Sequence, residues 1–154
     1  MLNAENKLKE MGLTLPNPPK PVGSYLLAKR VGNLLFLSGS TCYTDNGLLY
    51  KGRVGSDLTV ENGYEAARQT MLVLLSVLKN ELGSLERIEQ IIKVNGYVNS
   101  APDFDQQPAV MNGASDLLLA IFGDRGTHAR TSVGVNELPG HIPIEIEMVV
   151  QVNE

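Results

Sequence analysis

Near its C-terminal end the chain reads H-A-R-T-S-V-G-V-N-E-L-P-G-H-I-P-I-E-I-E-M-V-V, His128 to Val150. This places Arg130, Glu145 and Glu147 on two short β-type runs joined by a Pro/Gly-rich loop. A guanidinium can hold a carboxylate in a two-pronged grip, and a carboxylate can hold water or move a proton. The pairing points to a small-molecule site that binds a carboxylic acid and does hydrolytic or proton-transfer chemistry. A lone arginine on a strand is more often a structural ion pair. Here alternation gives Arg130 the small neighbours Ser132 and Gly134 on its own face, which leaves room for a ligand. Glu145 is expected on the neighbouring strand, and the backbone N–H groups of Thr131 and Ser132 could bind a second oxygen.

Glu145 and Glu147 sit two apart and share a face, with apolar residues on both sides of each. That setting favours partial burial of at least one, which would give it a defined charge state. Tyr25 follows Gly23-Ser24 just before a strand. Ser38-Gly39-Ser40 ends the next strand, with a glycine that permits close backbone approach or marks a bend. Asn112, in V-M-N-G-A-S, is either a ligand hydrogen-bonder or a helix-surface amide.

Other chemistries lack their residues. There is no H-x-x-x-H, C-x-x-C, G-x-S-x-G or G-x-G-x-x-G, and His128 and His141 are too few for a metal centre without carboxylates. No metal and no cofactor is expected. Cys42, the one cysteine, excludes an internal disulfide and reads as a small core hydrophobe. Net charge is −4 and the basic residues are scattered, which argues against nucleic acid as the main partner. No apolar run is long enough to cross a membrane and the polar start is no signal peptide, so a cytoplasmic location is expected.

The elements that must position these residues follow from pattern. One domain is expected over 1–154, with a short helix over 3–11 striped by Leu2, Leu8 and Met11. Four prolines between Leu15 and Val22 impose an extended lead-in. Strands are expected over 25–30 and 33–38, and Asn46-Gly47 signals a hairpin turn. Thr59 caps a helix whose apolar residues recur from Val60 to Leu82, and Gly83 stops it. A strand over 88–98, a helix over 109–122 behind Pro108 (its first half weakened by Asn112-Gly113), and strands over 130–135 and 144–152 complete the chain. The order β-β-α-β-α-β gives an α+β fold, a mixed sheet with two long helices on one face. The opposite face is too apolar to be left in water, and an oligomer that covers it is the natural solution.

These pieces resemble the RidA family, also called YjgF/YER057c/UK114 and often described as endoribonuclease L-PSP. The matching stretches are G-S-Y (Gly23 to Tyr25), V-G-N-L-L-F-L-S-G (Val31 to Gly39), A-A-R-Q-T-M-L-V-L-L (Ala66 to Leu75), G-S-L-E-R-I (Gly83 to Ile88) and the run from His128 to Glu147. The resemblance implies a chorismate mutase-like fold, a homotrimer with clefts between subunits, and cofactor-independent deamination of small 2-imino or 2-enamino acids. In those terms Arg130 grips the substrate carboxylate and Glu145 holds the attacking water. Tyr25 lines the cleft, Gly39 meets the ligand with its backbone beside Ser38, and Asn112 is a further match; Thr131 and Ser132 join the binding set on the residue reading above. Ser132 stands where many members have cysteine, and Ser40 where many have glutamine. The longer second helix and the N-terminal helix suggest a longer-chain branch. RNA cleavage and non-catalytic metabolite binding by a trimer are the alternative activities.

Overall fold

The computed structural model describes residues 3–154; Leu2, expected on the first helical stripe, lies outside them. Helix α1 spans Ala4–Glu10 and is capped by Asn3, whose side chain accepts from Asn6 N. Strands β1 (Ala28–Val31) and β2 (Leu34–Ser40) form a hairpin, and β3 (Tyr43–Thr44) and β4 (Gly47–Leu48) form a small one at the predicted Asn-Gly turn. Then come α2 (Val60–Leu82), β5 (Ile88–Asn99), α3 (Gln107–Phe122), β6 (Ala129–Val135) and β7 (Ile144–Val152). The five-stranded sheet runs β1-β2-β7-β5-β6, with β5 and β6 parallel and the other pairs antiparallel. Helix α3 is the crossover that a parallel β5–β6 pair requires. The result is the mixed α+β arrangement expected.

Helix α2 begins where its chemistry says it should. Thr59 Oγ1 accepts from Asn62 N at 3.1 Å and Asn62 Oδ1 accepts from Thr59 N at 3.0 Å, a reciprocal capping box. Gly83, at φ 82°, ends the helix by donating its N–H to the Lys79 carbonyl. Between these ends Met71, Leu74, Leu75 and Leu78 are buried against Ile144, Ile146, Met148 and Val150 of β7 and their neighbours. Each such side chain contributes roughly 1.5–3 kcal/mol.

Three expectations change. The first strand is Ala28–Val31 rather than 25–30, because Tyr25 sits in a bend where its hydroxyl accepts from Val22 N. Gly113, expected to weaken α3, is where that helix crosses α2. A Cβ there would run into the Tyr64 carbonyl oxygen, so the glycine allows two backbones to touch. Finally β6 pairs with β5 and not with β7, so β5 stands between the strands of Arg130 and Glu145. Alternating patterns say which way side chains face, but not which strand lies next door.

The two faces of the sheet divide as β7 predicts. Ile144, Ile146, Met148, Val150 and Val152 are buried, and Glu145, Glu147, Val149 and Gln151 take the opposite face. That second face leaves Val31, Phe36 and Val133 at 62%, 45% and 41% exposure.

Candidate functional site

Arg130 lies on the edge strand, in register with Val94 of β5 and on the helix-covered face. Its guanidinium lies along α3. Nη1 donates to Asn112 Oδ1 at 2.8 Å and to Ser115 Oγ at 3.1 Å, and Nη2 donates to the Pro108 carbonyl at 3.4 Å. Positions 108, 112 and 115 follow helical spacing, so one stripe of α3 holds the group end-on. Both Nη1 hydrogens are engaged. Among the described residues, Nε–H and the second Nη2 hydrogen have no acceptor, and this side-on pair matches a carboxylate. A cavity of about 290 Å³ borders the group, lined by Ser115, Leu119, Thr127 and His128.

Glu145 occupies a different place. It opens into a cleft of about 540 Å³ with Tyr25, Ser38 and Gly39, walled by apolar side chains such as Leu27 and Ile142. The size suits a small ligand. The pairing of β2 with β7 advances three residues on β2, Leu37 to Ser40, against two on β7, Met148 to Ile146, which makes a bulge at Ser38-Gly39. The bulge presses Gly39 onto the carboxylate: a Cβ there would stand 2.5 Å from Glu145 Oε1. Half-burial pushes the Glu145 carboxyl above the ordinary glutamate range, and the Glu147 charge adds to the rise. Glu147 itself accepts from Tyr97 OH at 2.7 Å and from Asn95 Nδ2 at 3.3 Å.

The sequence candidates therefore fall into two groups. Tyr25, Ser38, Gly39 and Glu145 line the cleft, while Asn112, Arg130 and Ser132 belong to the α3 side. Arg130 shares its row with Val94 and Met148, both buried under the helices, whereas Glu145 pairs with Tyr97 on the open face. Within one chain the two lie on opposite faces of the sheet, and β5 between their strands corrects the expectation that Glu145 is on the strand next to Arg130. Thr131 also faces away from Arg130, and its Oγ1 accepts from Lys93 Nζ at 3.1 Å. Ser38 has spent its hydroxyl on the Leu26 carbonyl and its N–H on the Leu27 carbonyl, so it shapes the cleft without offering it a donor. Ser132 Oγ is buried with no partner among the described residues. Cys42 is fully buried.

Two residues beside Arg130 were missed, Ser115 and His128. Ser115 Oγ lies 2.9 Å from His128 Nε2, and His128 Nδ1 lies 2.7 Å from the Gly126 carbonyl. The readable signals were the His-x-Arg spacing, one face of a strand, and the Asn112/Ser115 spacing, one face of a helix. Among the described residues no three His, Cys, Asp or Glu side chains converge as metal ligands would, and no helix is long and apolar enough to cross a membrane.

A mixed sheet backed by two long helices, with an arginine on its edge strand and a half-buried glutamate beside a glycine bulge, defines the class as a mixed α+β fold. Residues 5–143 match the family described as YjgF/chorismate mutase-like, putative endoribonuclease, and the chain belongs to that family. It is 39% identical over 147 residues to protein TCP17 of Trypanosoma cruzi, covering 95% of this chain and 92% of that one. It is 27% identical over 138 residues to a 2-iminobutanoate/2-iminopropanoate deaminase of Dermatophagoides farinae, covering 90% and 93%. The crystal structure of protein Atu1372 of Agrobacterium tumefaciens superposes with a TM-score of 0.90 at 37% identity, covering 98% of this chain and 92% of that one.

Proposed function

We propose that the protein is a cofactor-independent deaminase that hydrolyses 2-imino or 2-enamino acids to 2-keto acids and ammonia. The observation that carries this reading is the Arg130 guanidinium, held end-on by α3 with its side-on hydrogen pair unspent. Bound there, a 2-imino acid presents its C=N carbon at a fixed distance from its carboxylate, an orientation effect that needs no cofactor. Glu145 supplies the second function. As carboxylate it accepts a hydrogen from water and aims its oxygen at the imine carbon. Its raised pKa makes it a good carrier of that proton to nitrogen. The new C–O bond and the added proton give a carbinolamine; Glu145 then carries the hydroxyl proton to nitrogen, the C–N bond breaks, ammonia leaves, and the carbonyl remains. Gly39 of the bulge and Tyr25 line the cleft that takes the substrate.

Arg130 and Glu145 face opposite sides of one sheet, so a complete site needs two copies. A homotrimer, in which one copy sets its Glu145 cleft against the Arg130 edge of the next, joins the halves and covers Val31, Phe36 and Val133. The relative named as a 2-iminobutanoate/2-iminopropanoate deaminase supports the reaction class. The endoribonuclease of the family description is the second reading, and the net charge of −4 gives it no basic track for a phosphate backbone.

The test generates an imine with an amino-acid oxidase and traps what survives with semicarbazide. Wild type is expected to shorten the imine lifetime, and Arg130→Ala to lose this while keeping its fold. Equal activity in the two would end the proposal. RNA cleavage by nuclease-free protein that persists in Arg130→Ala would favour the second reading.

A further inference from the structure

The acceptors around Arg130 form a directed chain that reaches beyond the arginine. The Gly126 carbonyl can only accept, so His128 Nδ1 carries a hydrogen and donates it, at 2.7 Å. In the neutral ring Nε2 then offers a lone pair, and Ser115 Oγ–H donates to it at 2.9 Å. With its hydrogen committed, Ser115 Oγ turns a lone pair to Arg130 Nη1–H, 3.1 Å away. Inside a helix a serine hydroxyl ordinarily bonds back to the carbonyl one turn earlier. His128 captures that hydrogen instead.

The far end of the chain is anchored. Gly126 belongs to the 3-10 turn Gly123–Gly126, and a Cβ on it would run into the Leu118 carbonyl of α3. The same turn is tied to β5 by Arg125 Nη1 donating to the Ile88 carbonyl at 2.8 Å and by Gln90 Nε2 donating to the Arg125 carbonyl at 3.1 Å. Both supports of the His128 ring are thus fixed to the helix and sheet that carry Arg130.

We infer that His128 and Ser115 are positioning residues, which orient the Arg130 fork for a substrate carboxylate through the chain Gly126–His128–Ser115–Arg130. The inference rests on the reading of Arg130 as a carboxylate anchor, and names two residues that act through it.

Two measurements on the full-length protein test it. The first is calorimetric binding of 2-ketobutyrate, a stable keto-acid probe. Losing one charge-assisted hydrogen bond corresponds to about tenfold weaker binding, expected for both His128→Ala and Ser115→Ala at an unchanged melting temperature. His128→Gln, whose side-chain oxygen can accept from Ser115, should recover most of the loss. The second needs no ligand: nitrogen NMR of the Arg130 guanidinium, where hindered rotation gives separate Nη1 and Nη2 signals. Those signals should exchange at the same slow rate in wild type and His128→Gln, and faster in His128→Ala, where Asn112 and Pro108 still hold the fork but Ser115 is no longer oriented. Wild-type binding and an unchanged Nη exchange rate in His128→Ala would overturn the inference, as would a His128→Gln no better than alanine. If wild type bound no keto acid while its Arg130 signals still answered to His128, the positioning role would stand and the deaminase reading would fall.

Discussion

Replacing Gly39 with alanine tests whether the placement of Glu145 matters to turnover. The added Cβ would stand 2.5 Å from Glu145 Oε1 and 3.0 Å from its Cγ and Cδ, whereas ordinary contact begins at 3.4 Å. The carboxylate must therefore retreat by about 0.9 Å. Gly39 does not use a left-handed φ, so alanine suits the backbone. The obstacle is the end of a flexible side chain facing an open cleft, so the folding cost should stay near 1 kcal/mol, the low end for overpacking. A loss of that size moves the melting temperature by roughly 2–4 °C. Catalysis is more sensitive: a displacement of about 1 Å can cost on the order of 100-fold, or ~2.7 kcal/mol of barrier. The assay is imine hydrolysis with the semicarbazide trap, run beside thermal unfolding. Full turnover at an unchanged melting temperature would show that the position of the Glu145 carboxylate does not control the reaction. A melting temperature lowered by 10 °C or more, roughly 3 kcal/mol, would place the clash in the sheet instead of on Glu145.

Gly113→Ala should act on stability, because its Cβ meets the Tyr64 backbone, which cannot swing aside. A loss of about 2–3 kcal/mol, roughly 5–10 °C by thermal unfolding, is expected; a stabilised variant would contradict the α2–α3 contact. Glu137 predicts a pH dependence. The Leu138 N–H and the His141 ring, followed by Asn99, hold its carboxyl down at about 2. A folded-state pKa below the unfolded one contributes stability above the ordinary glutamate range, and that stability is lost as pH falls towards about 2. Glu137→Gln should flatten this acid-side decline in a melting series, and parallel curves would show that the ionised group is not its source.

How much of this could be read in the residues depended on how local the cause was. Helix α2 was legible because Thr59, the apolar recurrence and Gly83 each act within one or two turns. The β3–β4 hairpin followed from Asn46-Gly47, and the two faces of β7 from strict alternation. Strand order was not legible, since β6 lies beside β5 through a crossover of the whole of α3. Gly113 was read by its helix propensity, while its use, contact with Tyr64 of another helix, depends on the fold. The same holds at the candidate site. Arg130, Glu145 and the Ser38-Gly39 bend showed in residue type and spacing, but their opposite faces and the Ser115–His128 chain needed three dimensions. The family resemblance supplied the likeness to deaminases, which spacing alone could not have given.

Whether two copies complete one site can be measured directly by mixing two defective chains. Arg130→Ala and Glu145→Gln are each expected to be inactive alone in the imine assay. Co-assembled in equal amounts, they would form intact sites wherever a sound Glu145 cleft meets a sound Arg130 edge, about one quarter of all interfaces in a random homo-oligomer. Recovery of about a quarter of wild-type activity is expected on that statistical basis. No recovery from a mixed oligomer of proven composition would contradict it.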